Sequence, residues 1–398
     1  MKKISKIILV AMLASNFAYA TNGDNMIGVG PTSRAMGGIG IAKAQDSISS
    51  VFANPATLTQ IDGDQFNFAG TYFMPTVKAD VKTATPLGTW KHKSQDAAYA
   101  IPAIGLSHKI NDKYVFGIGA YGVSGMGVDY RNIDTAAQMN TKLSVMKFVP
   151  ALAYKNGAFS YGLGLDIDYQ AADFGAGLSH NYALGARLGA NYEYGKWNFG
   201  LVYVTPQNVK HERVYDFDGL GGPTSTFNGY DDLKLENPAQ YGFGISHKCT
   251  DKLTSSVEVK YLDWENADGY KDFDWESQVV YAFGLNYKAT DKFSLRAGWN
   301  YGKNPVKKHD NFNMTGNTVV QGKTMNTLNY EYFRVIGFPA IVENHITFGF
   351  GYEMSQRVSL NMGYKHAFEK TLKENFAAGS IESKLSEDAV DFGLTFKF

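Results

Sequence analysis

The chain has 398 residues, 38 of them Lys or Arg and 38 Asp or Glu, so its formal net charge is zero. That balance argues against a nucleic-acid partner or a polybasic membrane contact. A slightly negative mean hydropathy, with no long apolar run beyond the N-terminus, excludes a helical membrane protein. Cys249 is the only cysteine, so no internal disulfide staples the fold.

The chain opens "MKKISKIILVAMLASNFAYA". Lys2, Lys3 and Lys6 precede a short apolar run from Ile7 to Leu13, and Ala18-Tyr19-Ala20 ends it. This is the pattern of a secretory signal with cleavage after Ala20. The run is too short to be a transmembrane anchor, which needs about 20 apolar residues.

The next segment, residues 21–62, is irregular. Gly28, Gly30, Gly37, Gly38 and Gly40 allow tight bends. Pro31 and Pro55 push the residues before them toward extended geometry. Met26, Ile27, Val29, Met36, Ile39, Ile41, Val51 and Leu58 supply too many apolar anchors for a disordered leader. A short helix is expected within "AKAQDSISSVF".

From residue 63 onward the pattern changes to a period of two. In "FSYGLGLDIDYQ", Phe159, Tyr161, Leu163, Leu165, Ile167 and Tyr169 alternate with small or polar residues. The C-terminal "AVDFGLTFKF" does the same. Strands are predicted near 64–79, 96–110, 113–126, 141–155, 158–172, 179–194, 196–211, 231–248, 252–266, 274–289, 291–303, 341–354, 356–370 and 386–398. Six links between them are very short: Asn111-Asp112, Asn156-Gly157, Gly195, Thr250-Asp251, Thr290-Asp291 and Ser355-Gln356. Short links alternate with longer polar ones. A soluble sandwich has no reason for that alternation, whereas an outer-membrane barrel has tight periplasmic turns and extended outer loops. The apolar faces begin and end in aromatic residues, which make up 14% of the chain, as interfacial girdles do. The expected fold is all-β: a transmembrane antiparallel β-barrel of about 14 strands, with both chain ends in the periplasm. Such a barrel is too wide for its own side chains to fill. Residues 21–62 are therefore expected to be an N-terminal hatch, with a signal peptide over 1–20 and the barrel over 63–398.

"SRAMGGIGIAKAQDSISSVFANPATLTQID", Ser33 to Asp62, resembles the hatch of the FadL/TodX-type outer-membrane transporters for hydrophobic compounds. Arg34, Gly37, Gly38, Asn54, Pro55 and Ala56 carry the likeness. "LKLENPAQYGFGIS", "VKYLDWENADGYK", "SLRAGWNYGKNPV" and "GFPAIVENHITFGFGYEMS" are similar to family segments in the same order. The resemblance implies passive uptake of long-chain fatty acids or aromatic hydrocarbons, with no cofactor and no energy-coupling partner. It also implies an inward kink of the third strand that lets substrate leave sideways into outer-membrane lipid. That strand is Tyr114 to Tyr130, and the exit residues would be Gly119, Tyr121, Gly122, Val123 and Ser124. Interior glycines suit a strand that must bend.

The outer loops are the expected capture surface, through Phe312, Phe333, Ile336 and Phe338, with Leu220, Phe227, Tyr230 and Met314 beside them. For Phe333–Ile341 itself, packing on the barrel rim is favoured over capture. Arg34 could pair with a carboxylate in the lumen or meet a substrate carboxylate; the structural pairing is favoured, since a buried charge needs a partner. The rival functions are a non-specific porin and an outer-membrane enzyme or adhesin. No G-x-S-x-G occurs, and the eight His are scattered without metal spacing. Gly117 to Gly122 matches G-x-G-x-x-G, but no helix is predicted after it, so no dinucleotide site is expected. The reading is a monomeric outer-membrane channel whose partners are lipid and a lipophilic small molecule.

Overall fold

The structure, a computed structural model, describes residues 19–20, 22–134, 137–218 and 229–398. The signal segment therefore lies almost wholly outside the described residues. Fourteen strands form the wall: β1 (Gln65–Thr83), β2 (Tyr99–Lys109), β3 (Tyr114–Asp129), β4 (Asn140–Asn156), β5 (Phe159–Asp173), β6 (Ser179–Tyr194) and β7 (Trp197–Val204), then β8 (Gln240–Lys248), β9 (Leu253–Leu262), β10 (Gln278–Lys288), β11 (Phe293–Gly302), β12 (Glu343–Glu353), β13 (Val358–Phe376) and β14 (Gly379–Lys397). Each pairs antiparallel with its sequence neighbour, and β1 pairs with β14 to close the barrel. Closure removes the two free edges that an open sheet would present to hydrocarbon.

The faces are inverted relative to a water-soluble sandwich. On β5, Leu163 is 55% exposed and Leu165 46%, while Asp166 and Asp168 are fully buried. Apolar side chains point outward and polar ones into the lumen, so the exterior is built for lipid. Leu394 lies on this outer face, paired across the sheet with Phe68 and Leu360. Leu394→Arg is expected to lower barrel stability by about 2–4 kcal/mol. An unshifted urea midpoint for refolding into vesicles would reverse the assignment of faces.

Two predicted strands break early. The predicted 196–211 strand ends at Val204, and the predicted 231–248 strand enters the wall only at Gln240. Pro206 and Pro238 stand at the two breaks and cannot donate to the ladder. The displaced pieces, Gln207–Tyr215 and Asp231–Asn237, pair with each other as a separate hairpin.

Elsewhere the strands overrun. β1, β13 and β14 extend past the pairings Phe73↔Tyr99 and His345↔Ala367, where their outer neighbours stop. A short strand, Thr89–Lys93, adds to the free edge of β1. The result is a fin rising from the rim, with Val77, Val81, Trp90, Leu372 and Ile381 buried on its inner side. Among the described residues no helix is long and apolar enough to cross a membrane.

Candidate functional site

The N-terminal segment folds into the lumen. It holds two short helices, α1 (Pro31–Arg34) and α2 (Ser47–Ala53), followed by a 3-10 turn over Pro55–Gln60. Helix α2 starts at a capping box. The Asp46 carboxylate accepts from the Ser49 amide at 2.7 Å, and the Asp46 amide donates to the Ser49 hydroxyl oxygen at 3.1 Å.

Wall and segment are tied at named points. Asn54 donates to the carbonyls of Ile41 at 2.7 Å and Ala190 at 3.1 Å, and its own oxygen accepts from the Ala56 amide at 3.0 Å. The amides of Gly40 and Ile41 donate to Glu258 at 2.8 and 2.6 Å. Gly37 donates to Thr347 at 2.9 Å and accepts from Asn300 at 3.0 Å. Gly37 and Gly38 have φ of 74° and 83°, a left-handed path that side chains resist. Arg34 Nε lies 2.9 Å from Asp391 Oδ1, each side chain 1% exposed. Arg34 therefore meets a lumen carboxylate as expected.

The wall makes room with residues that sequence reasoning passed over. Gly162 on β5 and Gly189 on β6 are direct cross-strand partners beneath Asn54-Pro55-Ala56. A methyl on Gly162 would sit 2.2 Å from Ala56 N, and one on Gly189 2.0 Å from Asn54 Oδ1. Both glycines stand at lumen positions of alternating strands, and that was the available signal.

The third strand parts from β2 after Tyr121. β2 and β3 pair from Lys109↔Val115 to Ala103↔Tyr121 and no further. On the other side, β3 pairs Gly122↔Met146 and then Ser124↔Val145, so Val123 is one residue too many. That is a β-bulge, which bends the strand that carries it. The freed backbone turns inward: the Val123 carbonyl accepts from Met26 N at 2.9 Å, and Gly125 N donates to the Asp24 carbonyl at 3.4 Å. Tyr121 is fully buried, edge-on to Phe52 at 5.6 Å, and Gly119 leaves space for its ring. A cavity of about 240 Å³ fills the gap between β2 and β3. Ile101, Pro102, Val145 and Leu385 give it an apolar lining. It runs from Met146, an outward side chain that is 39% exposed, to Arg34 in the lumen.

The capture residues are not a loop surface. Phe333 and Ile336 are fully buried, Phe338 is nearly so, and Phe312 is half-buried against Phe376 at 4.7 Å. Phe333 packs on Phe174, Tyr215, Phe273 and Phe338 with ring centroids 5.0–5.9 Å apart. These loops pool their apolar side chains into a cluster continuous with the barrel interior, because each alone would face water. Leu220 and Phe227 lie outside the described residues. Helix α3 (Thr327–Tyr332) and the π turn Phe333–Gly337 form the centre of this cap. The Thr141 hydroxyl donates to the Gly337 carbonyl at 2.6 Å, fastening the cap to β4.

An ion network locks the cap. His309 contacts Glu331 at 2.7 Å and Asp274 at 2.8 Å, and Arg334 reaches Glu331 and Glu374. The hydrogen bond to Glu331 raises the His309 pKa, and burial pushes Glu374 up to about 7. His309, Glu331 and Glu374 are close enough to share a metal, but the Arg334 guanidinium already stands among them.

No curated protein sequence matches this chain. Solved structures do. A Pseudomonas aeruginosa FadL homologue superposes with a TM-score of 0.69 at 16% identity, over 96% of this chain and all of that one. The P. putida toluene transporter TodX gives 0.66 at 16% identity, over 94% of this chain and 99% of its own. The Ralstonia pickettii toluene transporter TbuX gives 0.64 at 17%, over 94% and 99%. At such identities the likeness shows the fold. The model of the family described as outer membrane protein transport protein (OMPP1/FadL/TodX) matches residues 7–180 and 178–314, and the chain belongs to that family.

Proposed function

We propose that this protein carries hydrophobic compounds passively across the outer membrane and releases them sideways into the bilayer. The cavity in the β2–β3 gap carries the reading, because it reaches from charged Arg34, Lys365 and Glu387 in the lumen to lipid-facing Met146 along a mostly apolar lining. Each CH₂ moved from water into such a space is stabilised by about 0.8 kcal/mol. A path that stays apolar to its end never returns the solute to water. On this reading residues 1–20 are a cleaved export signal, 21–62 are the hatch, 63–398 are the barrel, and a monomer suffices. The substrates are long-chain fatty acids or aromatic hydrocarbons. No cofactor or energy source is needed. The non-specific porin is disfavoured because the luminal segment is tied to β6, β9, β11, β12 and β14.

Cells deprived of the protein should take up labelled fatty acids or toluene more slowly, with restoration by the full chain. Proteoliposomes should swell little in glucose. Unchanged uptake of both solute classes would remove the transport reading, and rapid swelling would install the porin.

A further inference from the structure

The fin carries a charge pattern that the luminal path does not use. Lys384 on β14, Lys78 on β1 and Lys93 on the short strand Thr89–Lys93 are direct cross-strand partners in one row. All three lie on the outward face, the face of Tyr72 and Val390 lower down the same strands. Neighbouring strands stand about 4.8 Å apart, so three ammonium groups are arrayed over about 10 Å. Like charges directly opposite destabilise a sheet. The next row outward is built differently. There Lys373, Glu382, Asp80 and Lys91 are successive cross-strand neighbours. They neutralise one another, with Lys91 3.0 Å from Asp80 and Lys373 3.6 Å from Glu382. In the lysine row, Lys78 has Glu369 at 2.6 Å and Lys384 shares Glu382 at 3.2 Å. Lys93 has no ion pair among the described residues. The row keeps an excess of positive charge facing away from the protein.

Its height narrows what could meet it. Tyr72 on β1 and Tyr364 on β13 flank Val390 on the outer surface, as an interfacial girdle would. Lys78 lies six residues past Tyr72 on β1. That is about 20 Å along the strand, or about 15 Å of height at a tilt of about 40°. An ordinary phospholipid headgroup layer is only about 5–8 Å thick. A phosphate at the height of the row must be carried above that layer.

We propose that Lys384, Lys78 and Lys93 bind phosphates borne on the sugar headgroup of an outer-leaflet glycolipid. The row lies outside the barrel, so this inference stands apart from the uptake path. The test uses the full chain in neutral detergent, titrated with a diphosphorylated glucosamine-disaccharide lipid (lipid A) and followed by native mass spectrometry. Phosphatidylglycerol, phosphatidylcholine and inorganic phosphate are the comparison probes. The triple variant Lys78→Gln, Lys93→Gln, Lys384→Gln should bind lipid A at least about tenfold more weakly, with a shallower salt dependence. Lys248→Gln with Lys252→Gln, at the opposite end of the barrel, should leave binding unchanged. Retained heat-modifiable gel migration certifies that each variant is folded. Equal affinity of the triple variant would overturn the proposal. So would phosphatidylglycerol binding as tightly as lipid A, or inorganic phosphate displacing lipid A at equal phosphate concentration.

Discussion

Asp391→Ala should be among the most damaging single substitutions in this barrel. It strands the Arg34 guanidinium in the lumen, where that side chain is 1% exposed and its Nη2 already has no hydrogen-bond partner among the described residues. Removing one partner of a buried ion pair costs about 3–5 kcal/mol, because the other charge is left uncompensated. The cost should fall on α1 rather than on the wall, since β14 keeps its ladders to β1 and β13. Hydrogen exchange in residues 26–41 should rise sharply while exchange in β14 barely changes. The double variant Arg34→Leu, Asp391→Leu supplies the contrast. Apolar replacement of a whole buried pair is often neutral or stabilising, so its exchange should return toward that of the native chain. Unaltered exchange in Asp391→Ala would mean that the pair does not anchor the segment.

The parts of this fold that the sequence discloses are those set by nearest neighbours. Strand β5 declares itself because Phe159, Tyr161 and Leu163 alternate with Ser160, Gly162 and Gly164, and that needs no knowledge of the partner strand. The six tight turns are equally local, and from strand count and turn spacing the closed barrel follows. The breaks at Pro206 and Pro238 were also local, yet the alternation continues through Val209, Leu233 and Leu235 and hides them. What stays hidden depends on distant contacts. Gly162 and Gly189 read as ordinary strand glycines until the Asn54-Pro55-Ala56 turn, more than a hundred residues earlier, is laid on them. Phe333 and Ile336 read as an exposed apolar loop because Phe174, Tyr215 and Phe273, which cover them, come from three other loops or loop hairpins. The glycine richness of β3 pointed to a bend, but only the register shows Val123 to be the surplus residue.

Deleting Val123 should close the wall. On β4 the partners Met146 and Val145 are consecutive, while on β3 their partners Gly122 and Ser124 are separated by Val123. Removing it lets the two strands pair without interruption, with Gly122 opposite outward-facing Met146 and Ser124 opposite inward-facing Val145. Regular alternation is then restored on both sides of the former bulge. Residues Gly122 to Met126 regain the path that brings them beside Tyr99 to Pro102 of β2, and the cavity between them disappears. The deletion adds ladder hydrogen bonds and loses two to the N-terminal segment, Met26 to Val123 and Gly125 to Asp24, so the urea midpoint should change little. Uptake of the hydrophobic solute should nevertheless fall to the level of cells without the protein. Val123→Ala keeps the surplus residue and should keep uptake, which separates the bulge from the side chain. A deletion variant with a continuous β2–β3 ladder that still transports at the native rate would show that solute leaves by another route.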